Sequence, residues 1–133
     1  MIAAVGDTHA VLWYLFGDKR LSLTARNFFE ATAIDGDQIA VSSISFVEII
    51  YLVERQRIHI DSYEQVRRAF DLPQSLLLEI PVNAEIAESV SQVNAKQVPD
   101  MPDRIIAATA VFLKVPLISR DRKIQASTVQ TLW

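Results

Sequence analysis

MIAAVGDTHAVLWYLFGD, residues 1–18, passes from strand to helix across Gly6-Asp7. Ile2–Val5 is short and apolar with branched residues at both ends, the pattern of a buried strand. From Thr8 to Phe16 the chain is almost continuously apolar, so a helix there has no polar face. Such a helix must lie centrally or under another chain, and Gly17-Asp18 ends it. A buried strand feeding a buried helix is how a parallel α/β unit begins.

The alternation continues outward from this start. Ser22 can cap a helix over Leu23–Thr32, and Asp35-Gly36-Asp37 turns the chain into a strand at Gln38–Val41. Ser45–Arg57 reads as a helix, apolar at Phe46, Val47, Ile49, Ile50, Leu52 and Val53. Asp61 can cap Ser62–Phe70, which stops before Pro73. Leu76–Ile80 is a third strand, and Asn83 can cap Ala84–Val93. Asp100 and Pro102 open a helix over Asp103–Lys114, and Leu117–Ser119 and Val129–Leu132 supply the last strands. The expected fold is α/β, a three-layer α/β/α sandwich around a parallel sheet of five strands. It is expected as one domain over 1–133, since no repeat or linker interrupts it.

The totals exclude several classes. With 133 residues, half of them hydrophobic, and only three glycines, the chain closes a real core and is not a disordered protein. It has no cysteine, which removes thiol chemistry and disulfides and fits a reducing cytosol. His9 and His59 have no partner at zinc-ligand spacing. The start MIAAVGDTH lacks a signal peptide's basic region, and Ile105–Leu113 is far too short to span a bilayer, so a cytoplasmic protein without membrane contact is expected. The net charge of −3 argues against non-specific DNA coating but not against a nuclease, because local patches matter more. Basic residues bunch at Lys19-Arg20, Arg55 and Arg57, Arg67-Arg68, and Arg120, Arg122 and Lys123. Solvated helix ends and a phosphate-guiding rim explain these equally well.

Four carboxylates stand where such a fold would gather them. Asp7 and Asp121 follow strands, while Glu48 and Asp103 open helices. Strand C-termini and helix N-termini meet at one edge of a parallel sheet, where ligands bind. Each acid also has a local explanation. Asp7 can simply cap a helix, and Ser45-x-x-Glu48 matches a capping box, which on its own is the better reading of Glu48. Asp103 suits the helix dipole and Asp121 a turn. Their joint placement favours a shared pocket. Carboxylates gathered there repel unless a hard cation lies between them, and Mg²⁺ or Mn²⁺ prefers oxygen donors.

DTHAVLWYL, SSISFVEII, PDRIIAATA and LISRDRKI, in this order and spacing, resemble a PIN-domain ribonuclease of the VapC toxin type over nearly the whole chain. The resemblance implies a PIN-like α/β/α sandwich and metal-dependent endonucleolytic cleavage of RNA, leaving 5′-phosphate and 3′-hydroxyl ends. It implies a cognate antitoxin as partner, and a homodimer. Asp7, Glu48, Asp103 and Asp121 match the family's catalytic, metal-holding carboxylates, with Mg²⁺ or Mn²⁺ as cofactor. Thr8 and Ser119 match supporting hydroxyls, and Asp100 the acid that often precedes the third carboxylate. Pro102 directly before Asp103 departs from the pattern and puts the orientation of Asp100 in question. His9 is read as a packed residue rather than a base. Two other readings compete: a structure-specific DNase on the same scaffold, and a receiver-like regulatory module that binds Mg²⁺. The receiver is disfavoured, because Asp7 has no acidic neighbour and the third strand runs into Pro-Val-Asn. Trp13, Tyr14 and Phe16 fall on different sides of their helix, so some aromatic surface is expected to meet a second copy or an antitoxin segment. Neighbouring helices of the same chain are the other way to bury it.

Overall fold

In the computed structural model, which describes residues 1–133, alternation along the strands sorts their side chains to two faces. The strands are β1 (Ile2–Gly6), β2 (Gln38–Ser42), β3 (Leu77–Ile80), β4 (Leu117–Ile118) and β5 (Thr131–Leu132). They form one sheet in the order β3-β2-β1-β4-β5 with every pairing parallel. The helices are α1 (Thr8–Leu15), α2 (Leu23–Ile34), α3 (Ile44–Glu54), α4 (Ser62–Asp71), α5 (Ala84–Ser89), α6 (Met101–Leu113) and α7 (Arg122–Gln125).

Ala4, Ile39, Val41 and Ile118 face α1 and α2 in a core with Val11, Trp13, Ala25 and Phe29. Their neighbours Val5, Ala40 and Leu117 face the other way, onto Ile106, Ala107 and Ala110 of α6 and Ile124 of α7. A third cluster, Leu12, Phe46, Ile49 and Val66, joins α1 to α3 and α4. The expected α/β/α sandwich with a five-stranded parallel sheet is therefore the observed architecture. No helix is long and apolar enough to cross a membrane.

β1 is central and β4 lies beside it, while the chain after β1 moves to β2 on the opposite side. That reversal opens a crevice beyond the C-terminal ends of β1 and β4. Gly6 sets the geometry there, because a Cβ at this position would lie 2.8 Å from Val11 Cγ2. Only glycine lets α1 fold back so closely onto its strand. By contrast, β3 is an edge strand, so its end lies away from the crevice where a receiver would need its phosphoacceptor.

Several expected boundaries move for identifiable reasons. The helix expected over Ala84–Val93 is α5 followed by a 3₁₀ turn, Val90–Gln92. The Arg104 guanidinium takes the Val90 and Val93 carbonyls, both at 2.8 Å, and holds the tighter turn. α3 ends at Glu54 rather than Arg57, with Gln56 in the left-handed region at φ 57°. α7 was not expected at all. It is four residues long, and the sequence shows too little periodicity at that length to mark it.

The aromatic run of α1 is covered mostly by its own chain. Trp13 is buried, Tyr14 stacks on Phe29 with centroids 4.4 Å apart, and Phe16 alone is left exposed. α1 can be apolar all round because it lies between two core clusters.

Candidate active site

Asp7 is the first residue beyond β1 and caps α1, accepting a hydrogen bond from Ala10 N at 2.9 Å. Capping and facing the crevice are compatible, since one oxygen is engaged and the residue still lines the cavity. Burial pushes its carboxyl above the usual range, offset in part by the Ser119 hydroxyl and the Ala10 N–H.

Glu48 does not form a capping box. The residue before α3 is Ser43, which makes no side-chain cap, and Ser45 lies inside the helix with its hydroxyl turned to Thr8. Glu48 Oε1 instead accepts from the Thr8 hydroxyl at 2.5 Å, and Thr8 lies 2.9 Å from Ser45 Oγ. This buried chain of hydroxyls ties α3 to the start of α1. Burial raises the Glu48 carboxyl, Thr8 opposes that, and Asp100 and Asp7 raise it further. Thr8, a supporting hydroxyl by resemblance, lies against Glu48, and Ser45 joins it although its match to the capping pattern hid this contact.

Asp103 stands in the first turn of α6, where Asp100 is the N-cap and accepts from Asp103 N at 3.1 Å. Pro102 occupies the first turn without breaking it, and Asp100 still lines the same cavity as Asp103. Asp103 is raised as Asp7 and Glu48 are. Its carboxyl is pushed up to about 7, first by burial and then by Asp100, Asp121, Glu48 and Asp7 in that order. Asp121 caps α7, accepting from Ile124 N at 3.0 Å, and Ser119 Oγ accepts from Asp121 N at 3.0 Å.

All four expected carboxylates, with Thr8 and Asp100, line one cavity of about 740 Å³. Ser119 is buried beneath it beside Asp7. None of the four takes part in the chain's ion pairs, so their charges are not neutralised internally. As arranged, no three acidic or histidine side chains converge closely enough to ligate one bare ion. The donors are nonetheless all hard carboxylate oxygens lining one cavity. That suits a cation which keeps several waters and takes only one or two direct carboxylates, as Mg²⁺ does.

The basic clusters divide. Arg20, Arg120 and Arg122 line the acidic cavity, and Lys123 borders a smaller adjoining one. Arg67 and Arg68 are paired with Glu79 and Glu64, and Arg55 lies over Tyr51. The first group borders the cavity, where a phosphate-guiding rim would lie, and the second lies on the surface away from it. His9 packs its ring against Trp13, with centroids 5.5 Å apart, at the cavity wall. His59 accepts from Asp61 N in a surface turn.

A parallel α/β domain that presents carboxylates from β1, α3, α6 and the end of β4 at one crevice belongs to a recognisable class of acidic-site folds. The PIN-domain profile matches residues 4–128, and the chain belongs to that family. It is 25% identical over 126 residues to ribonuclease VapC22 of Mycobacterium tuberculosis, covering 95% of this chain and 92% of that one. It is also similar to a toxin–antitoxin complex from Klebsiella pneumoniae, at 26% identity and a TM-score of 0.63 over 93% of this chain and 92% of that one. The fold alone is shared with VapBC2 of Rickettsia felis bound to a promoter DNA fragment, at 18% identity, TM-score 0.71, and 98% and 97% coverage. These likenesses bear out the VapC-type resemblance drawn from the sequence.

Proposed function

We propose that this chain is a Mg²⁺- or Mn²⁺-dependent endoribonuclease, the toxin of a toxin–antitoxin pair. The observation that carries the reading is the convergence of Asp7, Glu48, Asp100, Asp103 and Asp121 on one cavity, none of them held in an ion pair. Asp7, Glu48, Asp103 and Asp121 would hold the cation, directly or through water. A bound divalent ion there would activate a water and offset the charge that builds on the phosphate. Thr8 holds the Glu48 carboxylate in place, the Ser119 hydroxyl does the same for Asp7, and Asp100 fixes the first turn of α6 beneath Asp103. The buried floor of Ile106 limits water on that side of the cavity.

The partner reading rests on kinship with the Klebsiella complex, and an antitoxin is the partner we propose. A homodimer is proposed from the exposed Val47, Ile50 and Tyr51, which share one face of α3. Light scattering of the purified chain tests it, and a monomer at all concentrations would count against it.

The activity test is cleavage of a labelled single-stranded RNA and of a flap DNA in Mg²⁺, Mn²⁺ or EDTA. RNA cut internally with metal, intact in EDTA and intact with an Asp7→Asn protein is the expected outcome. Preferential cutting of the flap DNA would favour the DNase reading, and metal-independent cutting would overturn the site.

A further inference from the structure

The wall of the acidic cavity carries a cation held in a fixed position and lacking a counterion. Arg20 and Arg120 both lie over the indole of Trp13, with guanidinium carbons 5.0 and 4.6 Å from the ring centroid. Trp13 is itself buried, edge-on to Trp133 at 6.0 Å, so the platform beneath them is rigid. The two arginines differ in one respect. Arg20 is engaged by Asp18 through two hydrogen bonds, Nε to Oδ1 at 3.0 Å and Nη2 to Oδ2 at 2.8 Å, and that pairing holds the Asp18 carboxyl at about 2. Arg120 has no ion pair, although it borders a cavity full of carboxylates.

Local geometry explains why. Ser119 is buried toward Asp7, Asp121 caps α7 at the cavity, and Arg120 between them turns to the indole instead. A guanidinium stacked on an aromatic face keeps its N–H edge free, and that edge matches two phosphate oxygens. The exposed ring of His9, against the same indole, adds a flat surface on which a base can stack.

We infer that Arg120, pinned on Trp13 and flanked by His9, forms a nucleotide subsite that grips the RNA phosphate next to the one being cut. Arg120 is thus a substrate-positioning residue, and its role rests on the endoribonuclease reading above. The clamp binds ground state and transition state alike, so it acts on KM rather than kcat.

Arg120→Gln, Arg120→Lys and His9→Ala are compared with the unaltered protein on a short single-stranded RNA at several salt concentrations. Arg120→Gln should raise KM about tenfold with kcat within about twofold, and lower the salt slope of log KM by about 0.7, one single-strand phosphate contact. Arg120→Lys should keep the slope and recover only part of KM, since an ammonium lacks the planar fork. His9→Ala should raise KM with the slope unchanged. Arg120 is exposed, so the melting temperature should not move and the comparison is not confounded by folding. An Arg120→Gln protein with unchanged KM and salt slope overturns the subsite. So does a fall in kcat alone, or tighter Mn²⁺ binding with unaltered RNA affinity, which would make Arg120 only a charge compensator. If the unaltered protein cuts no RNA at all, the nuclease reading fails first, and the two failures are told apart.

Discussion

Glu48→Gln keeps the shape of the side chain and removes its charge. Because Ser43 and not Ser45 precedes α3, no cap is lost, and glutamine can still accept from Thr8. RNA cleavage should therefore fall by about 100-fold or more with a melting temperature no lower than that of the unaltered protein. A fully active Glu48→Gln protein would remove Glu48 from the site. Thr8→Val is a near-isosteric change that releases the Glu48 carboxylate and the Ser45 hydroxyl together. A roughly tenfold loss of kcat is expected, the scale of other supporting contacts to a metal-holding side chain. Wild-type kcat would show that the carboxylate needs no holder. At this scale the gathering of the acids at one edge was legible only from their joint placement beside strand ends and helix starts, since each alone had a local explanation. The Arg120–Trp13 contact was not, because 107 residues separate the partners (120 − 13) and no spacing rule links them.

α6 depends for its placement on Arg104, whose guanidinium reaches across to Val90 and Val93 at the end of the preceding 3₁₀ turn. Its Nε is buried without a partner, and no carboxylate faces the charge. Arg104→Ala strips two carbonyls of their donor and should cost about 2 kcal/mol, a fall of about 6 °C or more in melting temperature. An unchanged Tm would mean that α5 and α6 hold together by apolar contact alone. The same contact explains where element boundaries were hard to read. Strong apolar runs marked β1, β2, α1 and α6 because burial demands them. The break after α5 depends on a side chain fourteen residues away from Val90, which periodicity within a window does not register. α7 is announced only by its cap, Asp121, and Asx residues cap turns as well as helices.

For the molecule as a whole, the acidic crevice couples stability to pH, and on the proposed function to cation binding as well. Asp103 has a folded pKa of about 7 against an unfolded 3.8, so between those values the folded chain binds more protons than the unfolded one. Stability of the cation-free protein should consequently fall as pH rises from about 4 to about 7, with the raised Asp7 and Glu48 carboxyls acting in the same direction. A cation held as proposed would need Asp103 ionised, so its binding would release that proton and weaken at least about tenfold per pH unit below 7. Mn²⁺ at a hundredfold excess over its Kd should add about 2.7 kcal/mol at pH 8, seen as a rise of about 8 °C in Tm. At pH 6 the same concentration should give a smaller rise, by about 1.4 kcal/mol, because one pH unit costs one decade of affinity. The double variant Asp7→Asn, Asp103→Asn removes both the repulsion and the ligands. It should be the more stable protein without metal at pH 8, and its Tm should be indifferent to Mn²⁺. Asparagine preserves the cap on α1, so a loss of stability would not be charged to that helix end. If the double variant gains as much from Mn²⁺ as the unaltered chain, the ion binds elsewhere and the crevice is not its site.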